Sequence, residues 1–179
     1  MKKKDKRIYI TGFMGTGKTT LGEILARKLG YKFIDIDNII EKKAGKTIKE
    51  IFDEEGASYF REIEKEALKE ILGLKNIVVS LGGGTLIDDE NLMSVKKSGK
   101  LIHLSAEPSE IWRRVKDSEK KLLLKGAILD ESDIEKIYSR ISVLIDLRKK
   151  GYNQSDFSIK TDKKSPEEII IDIMKFLNK

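Results

Sequence analysis

Near the start of the chain, Gly12-Phe13-Met14-Gly15-Thr16-Gly17-Lys18-Thr19 fits the pattern G-x-x-x-x-G-K-[ST]. Glycines in such a loop let backbone N–H groups turn inward around phosphate oxygens. Lys18 can then reach the β- and γ-phosphates of a nucleotide, and the Thr19 hydroxyl can ligate Mg²⁺. The flanks agree with that chemistry. Arg7-Ile8-Tyr9-Ile10 reads as a strand, and Leu21, Ile24, Leu25 and Leu29 recur at helical spacing until Gly30. A helix beginning at the loop adds partial positive charge where the phosphates would lie. The motif predicts nucleoside triphosphate binding and leaves the reaction open.

Three further groups of residues could do chemistry. Lys32-Phe33-Ile34-Asp35-Ile36-Asp37 reads as a short strand ending in carboxylates, with Asp35 and Asp37 on one side by alternation. Such acids suit Mg²⁺ binding and acceptance of a proton from a hydroxyl, although Asp37 could also cap the following helix. Arg61 and Glu64 lie at i,i+3 on a helical stretch, which permits an ion pair. Gly82-Gly83-Gly84 follows the apolar run Asn76 to Leu81. Three glycines at the C-terminal end of a strand predict close approach of backbone to a small molecule.

These residues need elements to carry them. Strands are predicted around residues 7–10, 32–37, 76–81, 100–104 and 157–159. Helical patterns lie between them. Thr47 with Glu50 makes a capping box, Phe60, Ile63, Ala67 and Ile71 form one apolar stripe, and Pro108 and Ser165-Pro166 open later helices. The stretch from Ile134 to Lys150 reads as one helix carrying Arg140 and Arg148. His103, the single histidine, sits in an apolar strand and reads as structural. Residues 117–130 have weak periodicity, with a lysine cluster from Lys116 to Lys125, which fits either a flap that closes over a nucleotide or a plain surface loop. Alternating strands and helices imply an α/β layer structure with a parallel sheet.

The totals set bounds. With 179 residues, one domain is expected. There are no cysteines, so disulfides and thiolate metal sites are excluded. No run approaches the length of a membrane span, and the basic start Met1 to Lys6 lacks the apolar stretch of a signal peptide. A cytoplasmic protein is the expectation, with no membrane partner. The formal charge of +6 stands against 36 basic and 30 acidic side chains. A basic cleft for an anionic nucleotide accounts for it without nucleic-acid binding.

In this order along the chain, the phosphate loop, Asp35-Ile36-Asp37, Phe60-Arg61-Glu62-Ile63-Glu64, Gly82-Gly83-Gly84 and the late Arg140 resemble the shikimate kinase family. The resemblance implies a three-layer α/β/α P-loop fold of the nucleoside-monophosphate-kinase kind. Its parallel sheet would have five strands in the order 2-3-1-4-5, with a mobile lid over 116–130 and substrate-binding helices over about 37–72 of a single kinase domain, 1–179. It implies transfer of the γ-phosphoryl group of ATP to the 3-hydroxyl of shikimate with Mg²⁺, by a monomer.

Roles carried over by resemblance are specific. Lys18, Asp37 and Lys121 would be catalytic, with Asp37 as proton acceptor and Lys121 on the lid. Gly12, Gly15, Thr16, Gly17, Lys18, Thr19 and Thr20 would hold the phosphates, with Arg114 and Pro166 on the two faces of the adenine. Asp37, Arg61, Gly82, Gly83, Gly84 and Arg140 would bind shikimate, the two arginines gripping its carboxylate through planar donor forks. Glu64 would hold Arg61, and Thr19 and Asp35 would hold the metal.

Two departures from the family pattern stand out. The lid reads Lys121-Leu122-Leu123-Leu124 where the family has Arg-Pro-Leu-Leu. Arg140 is not followed by the family's Arg-x-Pro-x-Tyr, and Arg148 is a possible substitute. They keep two rival readings in view: a related kinase for gluconate or a nucleoside monophosphate, and a nucleotide-binding regulator without catalysis.

Overall fold

A computed structural model describes residues 6–118 and 133–178. Five parallel strands form its sheet: β1 (Arg7–Gly12), β2 (Lys32–Asp35), β3 (Ile77–Ser80), β4 (Lys100–Ser105) and β5 (Phe157–Lys160). Their order is β2-β3-β1-β4-β5. Parallel strands require crossovers, and helices supply them here.

Burial follows the alternation of the strands. Ile8 and Ile10 of β1 point to one face, where they pack with Leu21 and Leu25 of α1 (Lys18–Leu29) and Ile169, Ile170 and Ile173 of α9 (Pro166–Leu177). Tyr9 points to the other face. It joins Val79, Ile40, Phe60 and Leu68 there, a core closed by α2 (Ile36–Ala44), α3 (Ile48–Glu54), α4 (Gly56–Leu72) and α5 (Asp89–Ser98). A third cluster, with Phe13, Ile111, Trp112 and Ile141, lies between the phosphate loop, α6 (Pro108–Val115) and α7 (Ile134–Asp146). Trp112 is thus a packing residue.

Register brings the chemistry together. Asp35 of β2 lies beside Ser80 of β3, and Ser80 lies beside Ile10 of β1. β2 and β3 therefore end level with each other, and β1 runs two residues further, to Gly12. With strands about 4.8 Å apart, Asp35 and Ile10 are separated by about 10 Å. Within two residues of that level lie Gly12, Asp37 and Gly82.

Two boundaries differ from the sequence expectation. β2 stops at Asp35, and Asp37 already belongs to the first turn of α2. The two carboxylates are paired by a helix cap, with Asp35 Oδ1 accepting from the Asp37 N–H at 3.1 Å. The N-cap is Asp35 and not Asp37. The expected helix over 134–150 is also broken. α7 ends at Asp146, and a short α8 (Lys149–Tyr152) follows, with Arg148 at the junction. Lys121 and residues 119–130 of the expected lid lie outside the described residues.

Candidate active site

The phosphate loop holds its shape from within. Gly12, Gly15 and Gly17 have φ of 146°, 77° and 94°, values that a side chain rarely adopts. A Cβ on Gly12 would also lie 2.3 Å from the carbonyl oxygen of Leu104. Thr16, buried, donates its hydroxyl to the Phe13 carbonyl at 2.7 Å. Lys18 Nζ donates to the Gly12 and Phe13 carbonyls at 2.9 and 3.1 Å, so the ammonium lies across the mouth of the loop. The Thr19 hydroxyl donates to Asp35 Oδ2 at 2.8 Å.

A cleft of about 890 Å³ runs along the ends of the strands. Gly15, Thr16, Gly17, Lys18, Thr19 and Thr20 line it, with Asp35 and Asp37. Gly12 contributes its carbonyl to Lys18 from behind. At one end stand Arg114, Thr161, Lys164 and Pro166. Arg114 is pinned there: its guanidinium donates to the Gly15 carbonyl at 3.0 Å and to the Thr161 hydroxyl and carbonyl at 3.0 and 3.1 Å, while Glu110 accepts from its Nε at 2.7 Å. Arg113 and Arg114 together hold the Glu110 carboxyl down to about 2. The plane of Arg114 is thereby fixed beside the phosphate loop, ready to face a flat ring.

The triple glycine occupies the other end. None of the three has positive φ, so space and not backbone conformation demands glycine. A Cβ on Gly82 would stand 2.9 Å from Glu64 Oε1 and 3.2 Å from Asp37 Oδ1. On Gly83 it would stand 2.9 Å from Arg148 Nη1, and on Gly84 2.6 Å from Arg61 Nη2. Each glycine thus makes room for a different charged side chain. Glu64 is 1% exposed and buried beneath them. It accepts from Arg61 Nη1 and, at 2.7 Å, from the Thr85 hydroxyl. A buried carboxylate with two donors is a fixed anchor, and it aims the guanidinium of Arg61 into the cleft.

This arrangement matches known proteins. The family model for shikimate kinase matches residues 14–178. Curated shikimate kinases from Persephonella marina and Chlorobium limicola are 44% and 40% identical, over 94% and 95% of this chain and 97% and 87% of theirs. The chain belongs to the shikimate kinase family. Phosphorylation of shikimate, a step of aromatic biosynthesis, is the family's activity. Among solved structures, the shikimate kinase of Bacteroides thetaiotaomicron superposes with a TM-score of 0.85 at 31% identity, covering 97% of this chain and 99% of that one. The Acinetobacter baumannii enzyme, in complex with shikimate, gives 0.81 at 28% identity over 98% of this chain and 94% of that one. The sheet order is the one expected of shikimate kinase-like P-loop folds.

Within that family frame, the expected residues divide. Lys18, Thr19, Thr20, Asp35, Asp37, Arg61, the three glycines, Arg114 and Pro166 all border the cleft. Arg140 is not among the lining residues, and its Nε is buried with no hydrogen-bond partner among the described residues. Arg148 does line the cleft, with its guanidinium 4.8 Å over the Phe13 ring. The signal that favours Arg148 is Tyr152, four residues on, the interval of Arg-x-Pro-x-Tyr with Lys150 in place of proline. The expected substrate-binding helices over about 37–72 include α3, but the sequence singles out none of its residues for the site. Ile48, Lys49, Phe52 and Asp53 line the cleft, and Phe52 stacks on Phe60 at 4.6 Å. Phe60 reads only as part of an apolar stripe, and its partner Phe52 lies on a different helix.

Proposed function

We propose that this cleft transfers the γ-phosphoryl group of ATP to the 3-hydroxyl of shikimate, with Arg61 and Arg148 gripping the carboxylate. One observation carries the reading. Two guanidinium groups from distant parts of the chain converge on one glycine run, in the same cleft as the phosphate loop and Asp37. A carboxylate-bearing acceptor is what two such forks suit. The shikimate-bound relative supports shikimate as that acceptor.

In this reading the glycine loop cradles the triphosphate through its backbone N–H groups, and Lys18 moves from the loop carbonyls to the β- and γ-phosphates. Arg114 and Pro166 hold the adenine between them. The oxygen donors of Thr19 and Asp35, already 2.8 Å apart, fit Mg²⁺, which takes one or two protein oxygens and keeps several waters. When bound, the ion supplies neutralisation of phosphate charge. Asp37 orients the acceptor hydroxyl and takes its proton as the new O–P bond forms and ADP leaves. Lys121 is assigned charge stabilisation on the lid by resemblance alone.

The test is a coupled assay of ADP release with and without shikimate. Shikimate-dependent release is expected, with gluconate and nucleoside monophosphates inactive as acceptors. Asp37→Asn should lower turnover by about 10²–10³ without loss of the fold. ADP release that ignores shikimate would overturn the reading.

A further inference from the structure

Around Arg148, a set of contacts has no part in the chemistry just described. Tyr152 is 3% exposed and donates its hydroxyl to the Gly83 carbonyl at 2.8 Å. The same hydroxyl interacts with the Arg148 side chain, which opposes the rise of the phenol to about 12 that burial causes. The Tyr152 ring stacks on His103 of β4, with centroids 4.5 Å apart. Gly151 lies so close to the turn after the triple glycine that a Cβ there would stand 2.7 Å from the Leu86 carbonyl oxygen. Arg148 itself is held between the Phe13 ring on one side and Gly83 on the other.

The geometry points to Tyr152 as a positioning residue for the substrate carboxylate: its hydroxyl ties Arg148 to Gly83, and its ring, seated on His103, fixes that tie to the sheet. This rests on the reading of Arg148 given above. The physical reason is the freedom of an arginine. A guanidinium on a long stem loses side-chain entropy when it grips a ligand, and a neighbour that orders it beforehand removes part of that cost. Arg61 has such a neighbour in Glu64. A carboxylate beside Arg148 would compete with the substrate for its donors, whereas a neutral phenol orders the arginine and leaves its charge to the ligand. Burial keeps the phenol neutral throughout the ordinary pH range. The two arginines are thus positioned by different chemistry, one by a buried anion and the other by a buried phenol.

The experiment compares shikimate with its methyl ester, which keeps the hydroxyls and loses the negative charge, at saturating ATP. Tyr152→Phe retains the ring stack and removes only the hydroxyl. The expected result is a rise of about tenfold in KM for shikimate, with kcat and the KM for ATP within about twofold. The preference for acid over ester should fall by the same factor. Arg148→Met run alongside separates two failures. If Arg148→Met abolishes the preference and Tyr152→Phe leaves it intact, Tyr152 is not a positioning residue, although the reading of Arg148 stands. If Arg148→Met leaves the preference intact, that reading falls and takes this inference with it. If Tyr152→Phe weakens acid and ester equally, the tyrosine only supports the fold and the proposal is overturned. Should Tyr152→Phe fail to fold, His103→Leu, which removes the stacked ring and leaves the hydroxyl, carries the same comparison, with a smaller loss of preference expected and an unchanged one overturning the proposal.

Discussion

Gly83 shows how much of this site depends on atoms that are missing from a side chain. Arg148 Nη1 would lie 2.9 Å from a Cβ at that position, and the backbone there accepts alanine without strain. Gly83→Ala should therefore fold normally and push the guanidinium aside. A rise in KM for shikimate of about tenfold is expected, with the KM for ATP unchanged, in steady-state kinetics on both substrates. Residues of the phosphate loop are legible without coordinates, because Lys18 and Thr19 belong to one continuous stretch whose chemistry depends on local spacing. The second arginine is not legible in that way. Arg140 and Arg148 sit in what reads as a single helical run, and which one faces the cleft is decided by the break after Asp146. That break has no glycine or proline to announce it. The packing of Arg148 and Tyr152 on Gly83 accompanies the placement of Arg148, and not Arg140, at the cleft.

Helix ends do much of the positioning. Asp35 caps α2 and in doing so sets Asp37 in the first turn, where a strand extended to residue 37 would have carried it onward. Alternation predicted the proximity of the two acids for a reason that does not hold, since the helix begins one residue after β2 ends. By contrast, the capping boxes at Thr47 and Ser165 follow the sequence pattern closely. α5 offers a clean measure of what such a cap contributes, because it does not line the cleft. Asp88 accepts from the Asn91 N–H at 2.9 Å. Asp88→Ala should lower stability by about 1 kcal/mol in urea unfolding and leave both KM values unchanged. A shift in shikimate affinity would mean that α5 helps to shape the glycine run.

At the scale of the whole molecule, the parallel sheet brings the ends of β1, β2 and β3 within two residues of one level and lets α2, α4 and α8 deliver side chains there. Local pattern implies such a sheet without giving its order, because strand neighbours are a tertiary fact; the order came from family resemblance. The sheet also half-buries His103. Burial, with the positive charge of Lys18 second, lowers its imidazole to about 4. In the unfolded chain it titrates near 6.5, so below that pH the unfolded state takes up a proton that the folded state refuses. The stabilisation is complete above about pH 6.5 and is lost as the pH falls towards 4. The loss at pH 5 should be about 2 kcal/mol. Urea unfolding at pH 8 and pH 5 should show it, and His103→Phe should remove it while the acidic side chains titrate as before. An equal pH dependence in that variant would place the effect elsewhere.

The central claim is that Arg61 and Arg148 hold the carboxylate of shikimate beside the phosphate loop. It is tested most directly by the rate of ADP release against shikimate concentration, at saturating ATP, for Arg148→Met and Arg140→Met. We predict a rise in KM for shikimate of about ten- to a hundredfold for Arg148→Met, the value of a charge-assisted hydrogen-bonded pair, and less than about threefold for Arg140→Met. The reverse order would contradict the account.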